Sequence, residues 1–358
     1  MAKLFRKALL LCVSKYSLFN SFLDLLSELS EECKGYDVRE NINVFKQKIK
    51  TQMYRFPFKI RNKWEKSFLS KININIVNEI NKYNPDLVLV YNSEYLLPET
   101  CTEIRKKAKL IFFMGDSPFF THTNNYYLPC LAYSDLILSP DTFWISQLNT
   151  LGIHQTSFFI PGFDETSYYP VNDESILKDI ASLEILYTGA SYVNSWGYKK
   201  ALLMSQFTGF NFKLYGNSSW KRWFEFFPDL ARVYAESGYI PTEQLNKMFN
   251  KTKIIPVDGN PAILNGFHLR LIEALGSGAL PIVEYRKDVD EELFNGCAAK
   301  LPLIRDYVKA GDMARYYLKN ESERKELALS LRTFILSKYN NVINSERLVT
   351  ILKKNSLI

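Results

Sequence analysis

Short runs of apolar residues, each followed by a longer stretch in which apolar side chains return every three or four positions, recur through both halves of the chain. The first pattern suits a strand buried on both faces, and the second a helix with one buried face. Their alternation therefore predicts parallel sheets covered by helices. In the first half, strands are expected over Ala8–Val13, Asp86–Tyr91, Lys109–Met114 and Leu136–Ser139, with helices over Leu18–Leu29 and Phe143–Leu151. Asn84-Pro85 ends the helical stretch ahead of the second strand, because proline pushes the preceding residue out of the α region. The segment SFFIPGF closes this half, with Pro161-Gly162 as a hinge.

The rhythm then restarts. Glu184–Thr188 reads as a strand, followed by Gly189, a loop and a helix from about Tyr198; Phe212–Tyr215 is a strand stopped by Gly216. Thr242–Asn250 reads as a helix, Lys253–Val257 as a strand, and Met313–Lys353 as a terminal helical region. With 358 residues, against roughly 100 to 200 per domain, the chain is expected to form two Rossmann-like α/β domains. Their bounds fall at 1–165 and 166–335, and 336–358 forms a terminal helix able to cross back to the first domain. There is no repeat at solenoid periods.

Composition narrows the classes. Hydrophobic residues make up 47% and aromatics 15% of the chain, which excludes a disordered protein. No apolar run approaches the roughly 20 residues of a membrane-spanning helix. Ala8–Val13 follows a basic start but is short for a signal core, so it reads as a strand. Cys12, Cys33, Cys101, Cys130 and Cys297 lie far apart with no histidine at ligand spacing. They read as free buried thiols, and the protein as cytoplasmic. A net charge of +7 is modest for this length. Within it, residues 46–68 gather basic and aromatic side chains with no acid before Glu65. That segment suits either a solvated helix and loop, or peripheral contact with an anionic acceptor or the inner face of the cytoplasmic membrane. Nucleic acid finds no support.

Two places carry candidate chemistry. Gly115-Asp116-Ser117-Pro118 follows a parallel strand at its carboxyl end, where open α/β sheets place ligands. Asp116 is a candidate base there, or a cap for the segment after it, and His122 is a second candidate or an ordinary loop residue. The other place is Asn265–Tyr285, in which a glycine entry, an amphipathic helix and a Gly-x-Leu-Pro turn lead into another apolar strand. Gly266 lets backbone approach a ligand, amides near Phe267 to Arg270 can receive a diphosphate, and Arg270 adds charge-assisted bonds. Glu273 can accept two ribose hydroxyls. The plainer alternatives are a surface pair between Arg270 and Glu273, and packing for His268. Asp288-Val289-Asp290 has the form of a metal-binding pair, but it precedes Glu291-Glu292-Leu293-Phe294 as a helix start does, so a capping role is expected.

NGFHLRLIEAL, from Asn265 to Leu275, resembles the Glu-x7-Glu segment of GT-B glycosyltransferases of the CgeB-like and group 1 (family 4) branch. Glu273 takes the second glutamate position, which in that family binds the ribose. Asn265 stands where the first would contact the transferred sugar, so the anomeric outcome stays open. IPGFDETSYYP, from Ile160, resembles the family's interdomain element. ILYTGASYVNSWGYKKALL, from Ile185, resembles the opening of its donor domain, where the resemblance gives Gly189 to the glycine loop and Lys199 or Lys200 to the diphosphate. Gly238-Tyr239-Ile240 resembles the nucleobase loop. NPDLVLVYNSEYLLPE and LIFFMGDSP resemble the acceptor half of CgeB-like proteins.

The resemblance implies transfer of a sugar from a nucleoside-diphosphate sugar to a hydroxyl of a glycan, glycolipid or glycoprotein, as in bacterial surface polysaccharide or lipopolysaccharide synthesis. No metal site and no cofactor are expected, with Arg270, a lysine and amides dispersing the diphosphate charge. A non-catalytic nucleotide-sugar or carbohydrate-binding protein and an epimerase on the same scaffold are the alternatives.

Overall fold

The structure is a computed structural model that describes residues 3–14, 18–40, 42, 49, 52–53, 55–92, 95–119, 126–161, 163 and 165–358. His122, Gly162 and part of the basic segment 46–68 lie outside the described residues.

The chain divides into two compact units, one of residues 1–162 with 341–358 and the other of 163–340. The first contains β1 (Phe5–Cys12), α1 (Phe19–Leu29), β2 (Ser30–Asp37), α2 (Phe58–Tyr83), β3 (Leu87–Tyr91) and α3 (Pro98–Arg105). It continues with β4 (Lys109–Phe113), α4 (Tyr127–Ala132), β5 (Leu136–Ser139), α5 (Thr142–Thr150) and β6 (Thr156–Phe158). The second contains β7 (Leu183–Thr188), α6 (Ser195–Ser205), β8 (Phe212–Gly216), α7 (Leu230–Val233), β9 (Tyr234–Glu236), α8 (Thr242–Asn250) and β10 (Thr252–Val257). It is completed by α9 (Arg270–Gly276), β11 (Leu280–Glu284), β12 (Leu303–Ile304), α10 (Ala310–Lys319) and α11 (Glu321–Tyr339), after which α12 (Asn341–Lys354) rejoins the first unit.

Among the described residues each unit has one six-stranded sheet, and every strand pairing is parallel. This is the α/β class with two Rossmann-like sheets that the alternating pattern predicts. The orders are β2-β1-β3-β4-β5-β6 and β12-β11-β10-β7-β8-β9. The second is the doubly wound dinucleotide-fold order, which reverses between β7 and β10; the first reverses between β1 and β3. At such a reversal the crossovers leave to opposite faces, which opens a crevice at the carboxyl ends of the two strands.

Burial explains which elements the pattern foretells. β3 is LVLVY, buried at every position, as a central parallel strand must be. The edge strand β2 is SEECKGYD, with one buried residue, and β6 and β9 have three residues each. None of these three has an apolar run, and none was expected. α2 ends at Asn84, whose left-handed backbone (φ 53°) lets its N–H reach Ile80 O before Pro85 breaks the helix. The expected terminal helical region is three helices, α10 to α12, interrupted at Asn320 and Asn340. α12 contacts α1 and buries Leu348 and Leu352 completely.

The second unit's core gathers Ile185, Tyr187, Phe207, Leu214 and Trp220. The Trp220 indole donates to Gly189 O at 2.8 Å, tying the loop after β7 to the segment after β8.

Candidate functional site

In the first unit, Asp116 is exposed just beyond β4, and Asn92 stands just beyond β3. Asn92 adopts a left-handed backbone (φ 47°), accepts the Gly115 N–H at 2.7 Å and the Asp116 N–H at 3.2 Å, and donates its amide to Asp116 Oδ2 at 2.9 Å. The carboxylate is thereby oriented by the Asn92 amide. Asn92 was not expected from spacing, since the bond spans the crossover from β3 to β4.

In the second unit, the crevice between β7 and β10 collects two acids at strand ends. Asp258, one residue past β10, accepts the Tyr187 hydroxyl at 2.8 Å and faces the Lys200 ammonium at 3.2 Å. The Lys200 ammonium also lies over the Tyr187 ring, 5.7 Å from its centroid. Burial works against the Lys200 charge, but the Asp258 carboxylate together with the Tyr187 and Tyr192 hydroxyls outweighs it and holds the ammonium above its ordinary value. Burial, with the Asp258 charge, pushes the Tyr187 hydroxyl up to about 12.

Glu284, the last residue of β11, takes Lys199 at 2.5 Å, Arg286 at 3.0 Å and the Gly259 N–H at 3.0 Å. A Cβ on Gly259 would come within 2.3 Å of the Arg286 guanidinium, so a larger residue there would displace that side chain. Lys199 also lies over the Trp196 ring at 4.0 Å. The two lysines expected at a diphosphate are therefore each held by a carboxylate of their own unit.

Arg270, at the start of α9, differs. Its guanidinium lies over the Tyr187 ring, 5.5 Å from the centroid, and forms no hydrogen bond or ion pair with any described residue. Its Nε is buried without a partner, as is the Thr188 hydroxyl at the end of β7. The Arg270 backbone N–H is already used by His268 Nδ1, at 3.1 Å. Burial, and then the charges of Arg270 and Lys200, hold the His268 imidazole well below its usual pKa. It is neutral at pH 7, and because Nδ1 accepts, Nε2 carries the proton. Glu273, one turn into α9, is half-buried and makes no ion pair with Arg270. Burial raises its carboxyl pKa against the opposing pull of the Arg270 charge and a hydrogen bond from Tyr168.

Phe267 is buried, and the carbonyl of Asn265 takes the Asp288 N–H at 2.9 Å. Asp288 itself gives the following turn no capping bond, contrary to expectation; it is 1% exposed. Past Ser277, Gly278 takes φ 90°, the left-handed turn that returns the chain into β11. Tyr239 is 83% exposed and Ile240 half-buried, just ahead of α8.

Residues 199–350 match the profile of a family described as glycosyl transferase-like. The sucrose-phosphate synthase of Thermosynechococcus elongatus superposes with a TM-score of 0.68 at 12% identity, covering 98% of each chain. The Anabaena HepE protein, solved with UDP-glucose, gives 0.68 at 11%, covering 97% of this chain and 99% of its own. The chain has the GT-B fold.

A UDP-N-acetylglucosamine 2-epimerase from Listeria monocytogenes, described as putative, shares that fold at a TM-score of 0.59 and 12% identity, covering 98% of this chain and 96% of its own. The GT-B fold alone therefore does not choose between transfer and epimerisation. No curated protein gives a significant sequence match. Among the described residues, no three His, Cys, Asp or Glu side chains gather as metal ligands, and no helix is long and apolar enough to cross a membrane.

Within this GT-B chain, Gly189, Lys200 and Arg270 meet around Tyr187 at the β7/β10 crevice, with His268 bonded to the Arg270 N–H and Glu273 one turn beyond. Sequence reasoning missed Tyr187, Asp258, Glu284 and Arg286. The available signal was an acid directly after each of two apolar strands, Val257-Asp258 and Val283-Glu284, at the ends that face a ligand.

Proposed function

We propose that the protein is a glycosyltransferase that takes its sugar from a uridine-diphosphate sugar held by the second unit and passes it to an acceptor hydroxyl at the first. The observation that carries this reading is Arg270. Lys199, Lys200 and Arg286 are each answered by a carboxylate, yet this buried-edge guanidinium is left unanswered at the topological switch point. A diphosphate would supply the missing charge-assisted bonds. Glu273 would accept the ribose hydroxyls and the His268 Nε2 proton would face the sugar. Gly266, Phe267, Tyr239 and Ile240 would border the nucleotide, and Asn265 the transferred sugar.

In the reaction, the acceptor oxygen attacks the anomeric carbon, the bond from that carbon to the diphosphate oxygen breaks, and the acceptor proton passes to a base. Asp116, oriented by Asn92, is the residue proposed for that base, with His122 the second candidate. Arg270 would disperse the charge on the departing diphosphate without a metal.

The acceptor proposed is a glycan, glycolipid or glycoprotein of a surface polysaccharide or lipopolysaccharide, handled at the inner face of the cytoplasmic membrane. Phe56, Phe58 and Ile60 are 51%, 58% and 54% exposed beside Lys59 and Lys63, a composition suited to an anionic lipid surface.

Thermal unfolding of the purified protein with UDP, GDP, CDP, ADP and dTDP tests the donor. Selective stabilisation by UDP is expected, about 2.7 kcal/mol at a hundredfold excess over Kd. A response to none of the nucleotides would overturn the reading. Asn265 favours a binding protein without turnover as the alternative, and UDP release from UDP-glucose in the presence of acceptor separates the two.

The raised Glu273 pKa gives a pH prediction. The ionised carboxylate is the better acceptor for ribose hydroxyls, so acidification should begin to weaken UDP binding above 4.5, the ordinary glutamate value. For stability the sign reverses: the contribution of this raised group is full below the unfolded value and is lost as pH rises through the folded one. Isothermal titration from neutral to acidic pH, against Glu273→Gln, isolates the group from the nucleotide's own phosphate. Identical profiles for the two proteins would refute the assignment.

A further inference from the structure

Lys200 stands where the family resemblance places a cation on the diphosphate, but its surroundings give it a different task. It is 7% exposed, its ammonium 3.2 Å from Asp258 Oδ2, and the Tyr187 hydroxyl donates to Asp258 Oδ1 of the same carboxylate at 2.8 Å. Asp258 is 5% exposed and Tyr187 fully buried, so the three close on one another away from water. Over the same ring, 5.5 Å from its centroid, lies the Arg270 guanidinium, with no carboxylate of its own.

A buried carboxylate that loses its cation takes another one within reach or becomes protonated, because an isolated buried charge is too costly. The cation sharing the Tyr187 ring with Asp258 is Arg270. We propose that Lys200 is a positioning residue: by neutralising Asp258, it keeps the Arg270 guanidinium uncommitted over the Tyr187 ring and open to an anionic ligand. This rests on the donor reading above and deepens it, since it divides two cations that spacing treats alike. Arg270 meets the diphosphate, whereas Lys200 keeps Arg270 free to do so.

The two roles differ in how substitutions combine. If Lys200 acts through Arg270, Lys200→Met should weaken UDP binding about tenfold in the wild type and cause little further loss on top of Arg270→Ala. If Lys200 touches the phosphate directly, the two losses should multiply. A second comparison removes the competing charge. Lys200→Met with Asp258→Asn leaves no carboxylate to capture Arg270, so UDP affinity should return to within about threefold of wild type. A phosphate ligand could not be rescued in this way.

Isothermal titration of the full-length variants with UDP gives all of these values, and circular dichroism verifies the folding of each. Where Lys200→Met alone fails to fold, the charge-neutral double variant carries the test. Near-wild-type affinity supports positioning, and a tenfold loss overturns it. Multiplying losses, or no effect of Lys200→Met on UDP binding, would equally overturn it. If the wild type binds no UDP, the donor reading itself fails. If the wild type binds UDP and Arg270→Ala weakens it while the rescue is absent, only the positioning role fails.

Discussion

Replacing Arg270 by alanine is expected to lower kcat/KM for sugar transfer by about 10²- to 10³-fold while the protein stays folded, the scale seen when one preorganised donor is removed from a developing charge. The guanidinium makes no internal ion pair, so its loss breaks no salt bridge, and the Tyr187 ring beneath it is held independently by its hydroxyl and by Trp220. The loss should fall mainly on kcat, because negative charge on the diphosphate grows as the bond to the sugar breaks. Arg270→Lys should recover only part of it, since an ammonium cannot offer the two parallel bonds of a guanidinium. Steady-state kinetics with UDP-glucose, alongside the UDP affinity of each variant, measures the division. An unchanged kcat in Arg270→Ala would remove the residue from the chemistry.

The second large effect is on stability. Trp220→Ala should destabilise the unit of residues 163–340 by about 3–5 kcal/mol, the range for deleting a fully buried tryptophan. Trp220 is 0% exposed, stands edge-on to Tyr187 with ring centroids 5.8 Å apart, and bonds Gly189 O at 2.8 Å. Its loss therefore opens a cavity beneath the Tyr187 ring and frees the carbonyl that fixes the loop after β7. Calorimetry on the whole chain should show the transition of that unit moving to lower temperature, and UDP should stabilise the variant less than the wild type. Trp220→Phe should restore most of the packing but not the bond to Gly189. Coincident unfolding curves for Trp220→Ala and wild type would contradict the packing described.

How much of this is legible in the sequence depends on distance along the chain. LVLVY and LPIVE announce buried parallel strands because every side chain is apolar or at a strand end. The α9 segment announces itself because Gly266, Arg270, Glu273 and Gly278 lie close together along the chain. SEECKGYD conceals β2, since an edge strand held by backbone bonds to β1 needs little hydrophobic surface of its own.

The partners of the lysines are hidden for a different reason. Lys199 meets Glu284 across 85 positions, and Tyr187 meets Asp258 across 71. No periodicity links residues that only a crossover connection brings together. The same holds for Asn92 and Asp116, joined across neighbouring strands. Residue type and local order thus identify which segments hold a ligand, while the fold decides which of several equivalent cations is left to meet it.

The return of α12 to the first unit bears on the order in which the protein can be made. Residues 1–162 leave the ribosome first, but the face of α1 that contacts α12 stays uncovered until Leu348 and Leu352 are synthesised, after all of residues 163–340. The usual sequence, in which the first domain is finished before the second begins, is closed to this chain. Where the chain leaves the first unit and where it comes back, Phe163 N–H bonds Tyr339 O at 2.9 Å, so the two passages are laced together. A nascent chain from which α11 has emerged but α12 has not should accordingly hold a finished second unit and an unfinished first one, the reverse of what reading from the amino terminus suggests.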